Sequence, residues 1–214
     1  MNTLALLHLA VEASIQAGKA ILAVYDTDFS VEHKSDHSPL TRADRHSHAI
    51  LEDRLMTTGI PILSEDGRHL PYQERRQWQT FWLLDPLDGT KEFIKRNGEF
   101  TVNAALITAG KPVMGVIYVP VADVLYFGTP EYGAFKLSAA AGALEKDAAP
   151  ADSNDRKMQA LMDGAISLPS PSAAPDRFTV VGSRSHSTPE VETIVAKLAA
   201  RHGDVQLISA GSSL

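Results

Sequence analysis

The chain has 214 residues, a formal net charge of −6 and no cysteine. That charge excludes general binding to nucleic acid polymers or anionic lipid, both of which need surplus Lys and Arg. The lack of cysteine excludes disulfides, thiolate metal sites and cysteine nucleophiles, and fits a cytoplasmic enzyme. A small anionic substrate stays open, because a local site can oppose the global charge.

The length fits one large domain or two small ones. The N-terminus has no basic n-region, and Glu12, Gln16 and Lys19 interrupt its apolar stretch, so neither a signal peptide nor a transmembrane segment is expected. Leu4, Leu7, Val11, Ile15, Gly18, Leu22 and Tyr25 recur at steps of three and four, which predicts an amphipathic helix over residues 3–25. Residues 29–33 read as a short strand. Thr41 followed three residues later by Asp44 predicts a helix start, with the helix running to Met56 and Ile50, Leu51 and Leu55 inward. Two short apolar runs, 60–64 and 80–84, read as buried strands; each ends in acid, at Glu65-Asp66 and at Asp85. Strands are expected over 101–108, 113–119, 124–127 and 134–137, with short connections that favour an antiparallel meander. Residues 139–177, rich in Ala, Ser, Asp and Pro, read as a surface segment with one helical turn at Met158 to Met162. A strand over 178–182, a helix over 189–201 and a strand over 205–209 predict a parallel βαβ unit. The expected division is thus 1–138, 139–177 and 178–214.

Asp85-Pro86-Leu87-Asp88-Gly89-Thr90 concentrates the chemistry. Pro86 opens a tight turn, so Asp85 and Asp88 can enter one space together with the Leu87 carbonyl. Hard oxygen donors of this kind suit Mg²⁺. Gly89 lets backbone approach a ligand closely, and a helix or turn starting at Thr90 would offer amides to a phosphate. If strands 60–64 and 80–84 pair, Glu65 joins Asp85 at one sheet edge. Two cations held there could clamp a phosphoryl displacement and lower the pKa of an attacking water. Thr90 could hold that water, and Asp44 could accept a proton through Thr90. The competing readings are structural: Asp-Pro-x-Asp-Gly is good turn chemistry, and Asp44 alone reads as a helix-capping acid. With Thr90 added, the five specified letters Asp-Pro-x-Asp-Gly-Thr arise by chance on the order of once in ten thousand chains of this length, which favours function for Asp85 and Asp88.

These residues resemble the inositol monophosphatase superfamily of metal-dependent, lithium-sensitive phosphatases, and within it the 3′(2′),5′-bisphosphate nucleotidase branch. The likeness spans nearly the whole chain. Leu63-Ser64-Glu65-Asp66 is similar to the family's Ser-Glu-Glu segment, with Asp66 in place of the second Glu. Pro39 to Asp44 is similar to the segment whose Asp pairs with the signature Thr. Lys91-Glu92-Phe93 matches the nucleotidase extension, where inositol phosphatases usually have Thr-Asn-Phe. Val181-Gly182-Ser183-Arg184-Ser185-His186 is similar to a segment near the nucleotide in that branch; its bland reading is a capped βα turn, with Ser187 or Thr188 as N-cap.

The resemblance implies a layered αβαβα fold of the α+β / α/β class, with two helices on an antiparallel sheet and then a smaller mixed sheet. It implies Mg²⁺ as cofactor, held by Glu65, Asp85, the Leu87 carbonyl and Asp88. It implies catalysis by Asp44, Glu65 and Thr90, and substrate contacts from Glu65, Leu87, Asp88, Gly89, Thr90, Lys91, Ser183, Arg184 and His186. The implied reaction is hydrolysis of adenosine 3′,5′-bisphosphate to AMP and phosphate, with an inositol or sugar monophosphatase as the alternative. The expected partner is a small phosphorylated nucleotide. The expected location is the cytoplasm or the cytoplasmic face of the inner membrane, and a homodimer is compatible with the resemblance.

One departure stands out. The family carries a later Trp-Asp segment whose acid completes a second metal site, and no Trp-Asp pair occurs here; the tryptophans are Trp78 and Trp82. The expectation is a truncated product, whose limiting case is an inactive fragment that binds metal or a partner. Other features read as bland. His46 and His48 diverge on a helix, which makes them surface residues rather than joint zinc ligands. There is no P-loop and no nucleophile elbow. Trp78, Phe81 and Trp82 read as core or strand-flanking residues.

Overall fold

In the computed structural model, the described residues are 2–33, 39–146, 153–170, 178–184 and 188–212. Helix α1 (Thr3–Tyr25) forms over the predicted span, N-capped by the Asn2 side chain, which accepts from the Ala5 amide. Its Leu7, Val11, Ile15 and Ile21 are fully buried. Among the described residues α1 is the one helix long and apolar enough to cross a membrane, yet most of that surface is packed inside the fold, as befits a core helix.

A small antiparallel hairpin, β1 (Val31–His33) and β2 (Pro39–Thr41), leads into α2 (Arg42–Met56). The α2 start is the capping box that Thr41 and Asp44 predict. Leu51 and Leu55 are buried against α1, and Ile50 packs at the edge of the same core. Helices α1 and α2 lie on a seven-stranded sheet of order β3-β4-β5-β6-β7-β8-β9. Strand β3 (Ile62–Ser64) pairs parallel with β4 (Thr80–Asp88), and the polar stretch between them contributes a short helix, α3 (Tyr72–Arg75). After α4 (Thr90–Ile94), strands β5 (Thr101–Thr108), β6 (Lys111–Val119), β7 (Val124–Thr129) and β8 (Gly133–Ser138) form the expected antiparallel meander. Trp82 lies in the core, fully buried.

Two differences from the sequence reading have physical causes. Strand β4 does not stop at Leu84 but runs on to Asp88. Asp85 stands opposite Asn103 and Asp88 opposite Thr101, so the register shifts between them in a bulge. Pro86 has no N–H to give to the ladder, and the bulge absorbs it. The segment 139–177, expected at the surface, contributes α5 (Ala140–Lys146), α6 (Asn154–Asp163) and β9 (Ile166–Leu168), the last pairing with β8. Met158, Leu161 and Met162 sit at helical spacing and are buried, with α6 against α1. Apolar spacing outweighs polar composition there.

The last unit is the expected βαβ. Strands β10 (Phe178–Ser183) and β11 (Val205–Ala210) pair in parallel as a separate two-stranded sheet, joined by α7 (Pro189–His202). This unit is lightly packed: α7 buries no residue, and Val181, Ile194 and Leu207 are about half exposed.

Candidate active site

The parallel pairing of β3 with β4 sets the site. Ser64 aligns with Leu84, and the Glu65 amide donates to the Leu84 carbonyl at 3.0 Å. Glu65 and Asp85 therefore leave one end of the sheet side by side. Asp85 is half-buried and hydrogen-bonded to Glu65. Burial, then the charges of Glu65 and Asp88, push its carboxyl up to about 8. Beyond it the bulge is pinned from α2, where the Ser47 hydroxyl donates to the Pro86 carbonyl at 2.6 Å. The Leu87 side chain is buried in the core, and its carbonyl accepts from the Thr90 hydroxyl.

Gly89 has φ 93°, a left-handed conformation that favours glycine, and precedes α4. Thr90 opens that helix. Its hydroxyl lies 3.1 Å from Asp44 Oδ1 and 3.3 Å from the Leu87 carbonyl. Asp44 is 1% exposed. Its Oδ2 accepts from the Thr41 amide at 2.7 Å and the Thr41 hydroxyl at 2.6 Å. Burial pushes the Asp44 carboxyl above the ordinary range; these bonds and that of Thr90 oppose the shift, and the charge of Asp66 adds to it. The capping role and the Thr90 contact thus use different oxygens of one carboxylate.

The structure brings Asp44, Glu65, Asp85, Leu87, Asp88, Gly89 and Thr90 to one region, and Lys91 is exposed beside it. Arg184 lies at the end of β10, but its guanidinium is engaged by Glu99. Ser183 is exposed on the same turn, and His186 lies outside the described residues. A cavity of about 930 Å³ opens beside Glu65 and Asp85, with Asn103, Leu83, Ile117 and Arg75 in its lining. Sequence reasoning missed Ser47, Glu99, Asn103 and Ser212. None carries a local signal except Ser212, which follows Gly211 at a strand end.

The donor set is that of a hard cation. Carboxylate and carbonyl oxygens are its chemistry, and burial together with the neighbouring charges of Glu65 and Asp88 raises the Asp85 pKa. No three His, Cys, Asp or Glu side chains among the described residues converge as a ready-made cage. The partners explain why: Asp85 turns to Glu65, and Asp88 Oδ2 takes Ser212 Oγ at 2.8 Å. The residues fit the group chemically, with side-chain rotation needed to close around it.

Fold and site together define a phosphatase, and the chain belongs to the inositol monophosphatase family, whose pattern matches residues 4–213. It is 42% identical to the 3′(2′),5′-bisphosphate nucleotidase CysQ of Escherichia coli K12 over 202 residues, 92% of this chain and 70% of that protein. The Haemophilus influenzae CysQ is 36% identical over 133 residues, 61% of this chain and 49% of that protein. Among solved structures, CysQ from Bacteroides thetaiotaomicron superposes with a TM-score of 0.81 at 45% identity, covering 96% of this chain and 72% of that one. The Thermotoga maritima IMPase, at 16% identity and a TM-score of 0.65, covers 95% and 67% and shares the fold.

Proposed function

We propose that this chain carries a Mg²⁺-dependent nucleotidase site that removes the 3′-phosphate of adenosine 3′,5′-bisphosphate, leaving AMP and phosphate. The observation that carries the reading is the Thr90 hydroxyl, set between Asp44 and the Leu87 carbonyl at the strand end where Glu65 and Asp85 meet. The nucleotide bisphosphate follows the name of the relative at 42% identity, and adenosine is what the resemblance of the sequence to the nucleotidase branch implies. Glu65, Asp85, the Leu87 carbonyl and Asp88 would hold the cation. When bound, divalent cations neutralise the phosphoryl oxygens and lower the pKa of attacking water.

The chain's own groups do the rest. Thr90 orients the water by accepting its proton as it passes its own to Asp44 Oδ1. Burial raises the basicity of Asp44, which suits it to that proton. The water oxygen bonds to phosphorus, the bond from phosphorus to the 3′-oxygen breaks, and that oxygen leaves as the ribose hydroxyl after taking a proton. Amides at the start of α4 suit the phosphate. Lys91, exposed next to Thr90, is assigned to substrate charge, with Ser183 and His186 toward the second phosphate. A cytoplasmic location belongs to this reading and rests on the cysteine-free chain.

The test is phosphate release with Mg²⁺, from adenosine 3′,5′-bisphosphate against inositol 1-phosphate, with lithium as inhibitor. Lithium-sensitive preference for the nucleotide supports the proposal. A clear preference for inositol phosphate replaces it with the sister activity, and absence of turnover on either sinks it.

A further inference from the structure

Asp88 draws on partners from the far end of the chain. Its Oδ2 accepts from Ser212 Oγ at 2.8 Å, and Ser212 Oγ lies 2.7 Å from the hydroxyl of buried Thr101. The Thr101 hydroxyl donates to Asn103 Oδ1 at 3.1 Å, and the one proton of Ser212 Oγ goes to Asp88, whose carboxylate can only accept. Ser212 is held in turn through its neighbour, since the Gly211 amide donates to Glu99 Oε2 at 2.9 Å. Glu99 is gripped by Arg184, with Nε 2.7 Å from Oε2 and Nη2 2.6 Å from Oε1. The same guanidinium reaches the Ser209 carbonyl at 2.8 Å, and the Arg184 amide donates to the Ala210 carbonyl at 2.8 Å.

These layers are stacked without slack. A Cβ at Gly211 would lie 2.5 Å from Glu92 Cγ, and one at Gly89 would lie 2.9 Å from the Glu99 carbonyl oxygen and 3.1 Å from Ser212 Cβ. The βαβ unit buries no residue of its helix. A forked, bidentate ion pair therefore matters more here than at an ordinary surface.

We infer that Arg184 is a positioning residue: through Glu99 it holds Gly211 and Ser212 against the Gly89–Thr90 turn, and Ser212 fixes the Asp88 carboxylate for the cation. The inference rests on the proposed role of Asp88 as a metal ligand. Hydrogen bonds to ligating carboxylates tune affinity for the metal, and their loss typically costs about 10- to 100-fold. It also separates Arg184 from direct recognition of substrate, which would leave metal affinity untouched.

The test uses the full chain and Mn²⁺ as probe, titrated without substrate and followed by the electron paramagnetic resonance of the free ion. Ser212→Ala and Arg184→Ala are each expected to weaken Mn²⁺ binding roughly tenfold. The double variant should be no weaker than the worse single one, because both act along one path. Arg184→Lys keeps the charge but loses the fork, and should fall between. Melts in EDTA report folding, and Glu99→Gln, nearly isosteric, replaces Arg184→Ala if that variant does not fold, with the same tenfold loss expected. Unchanged Mn²⁺ affinity with only a raised KM, or additive losses in the double variant, overturns the inference. A wild-type chain that binds no Mn²⁺ overturns the metal site itself and the inference with it.

Discussion

Asp85→Asn is expected to stabilise the metal-free chain while abolishing its Mg²⁺-dependent activity and its response to Mg²⁺. Burial and the neighbouring acids raise the Asp85 carboxyl from 3.8 to about 8. Between those values the folded state binds more protons than the unfolded one, so stability falls as pH rises from about 4 to about 8. The whole shift corresponds to about 6 kcal/mol as a ceiling. Glu65 is exposed and water reaches the pair, which brings the realised cost to about 1–3 kcal/mol at pH 8. Asn keeps the shape and can hydrogen-bond Glu65, but carries no charge. In a chain of this size that relief raises Tm by roughly 2–10 °C. The gain should shrink near pH 5, where the wild-type acid is mostly protonated. Mg²⁺ at about a hundred times its Kd should add about 2.7 kcal/mol to the wild type and nothing to the variant. Circular dichroism melts at both pH values, in EDTA and in saturating Mg²⁺, measure all four numbers. A variant that melts no higher than wild type at pH 8 in EDTA, or that Mg²⁺ stabilises as strongly, refutes the crowded-acid account.

Asp44→Asn should leave Mn²⁺ affinity within about twofold and lower kcat by about 10²- to 10⁴-fold; an unchanged kcat would remove the proton-accepting role. Gly89→Ala forces a side chain into φ 93° with a Cβ 2.9 Å from the Glu99 carbonyl oxygen, so it should cost more than about 1 kcal/mol and lower activity, read from Tm and kcat. Met158→Ala opens a cavity between α6 and α1 and should cost about 2–5 kcal/mol in urea unfolding; a cost under about 1 kcal/mol would mean that α6 is not part of the core.

The legible parts of the fold were those with local signals. The α1 stripe, the Thr41 and Asp44 capping box and the two acid-ended strands each announce themselves within a few residues. Helix α6 was legible only as one turn at Met158 to Met162, because Ala, Ser, Asp and Pro around it carry the signature of a solvated segment, while three apolar residues do the packing. The length of β4 was misjudged because Pro86 reads as a stop, whereas a bulge can carry a strand past it. Arg184, Glu99, Ser212 and Asp88 could not be joined from sequence, since their pairings span 85 to 124 residues and obey no period.

The sequence offered two readings of Asp44, a helix cap or a catalytic acid, and the geometry shows the cap while leaving one carboxylate oxygen turned to Thr90. Oδ2 is committed to Thr41, amide and hydroxyl together, which fixes the carboxylate plane against α2. Oδ1 is thereby aimed at Thr90. Without the cap, a buried carboxylate would either protonate or turn toward other donors. With it, the acid stays in place with one oxygen turned to the residue that opens α4. In the proposed reaction the cap is therefore the device that keeps the proton acceptor oriented. Thr41→Ala should then lower kcat as well as stability, by about 1 kcal/mol for the lost cap. Thr41→Ser, which keeps the hydroxyl, should restore both, and a Thr41→Ala chain that turns over at the wild-type rate would separate capping from catalysis again.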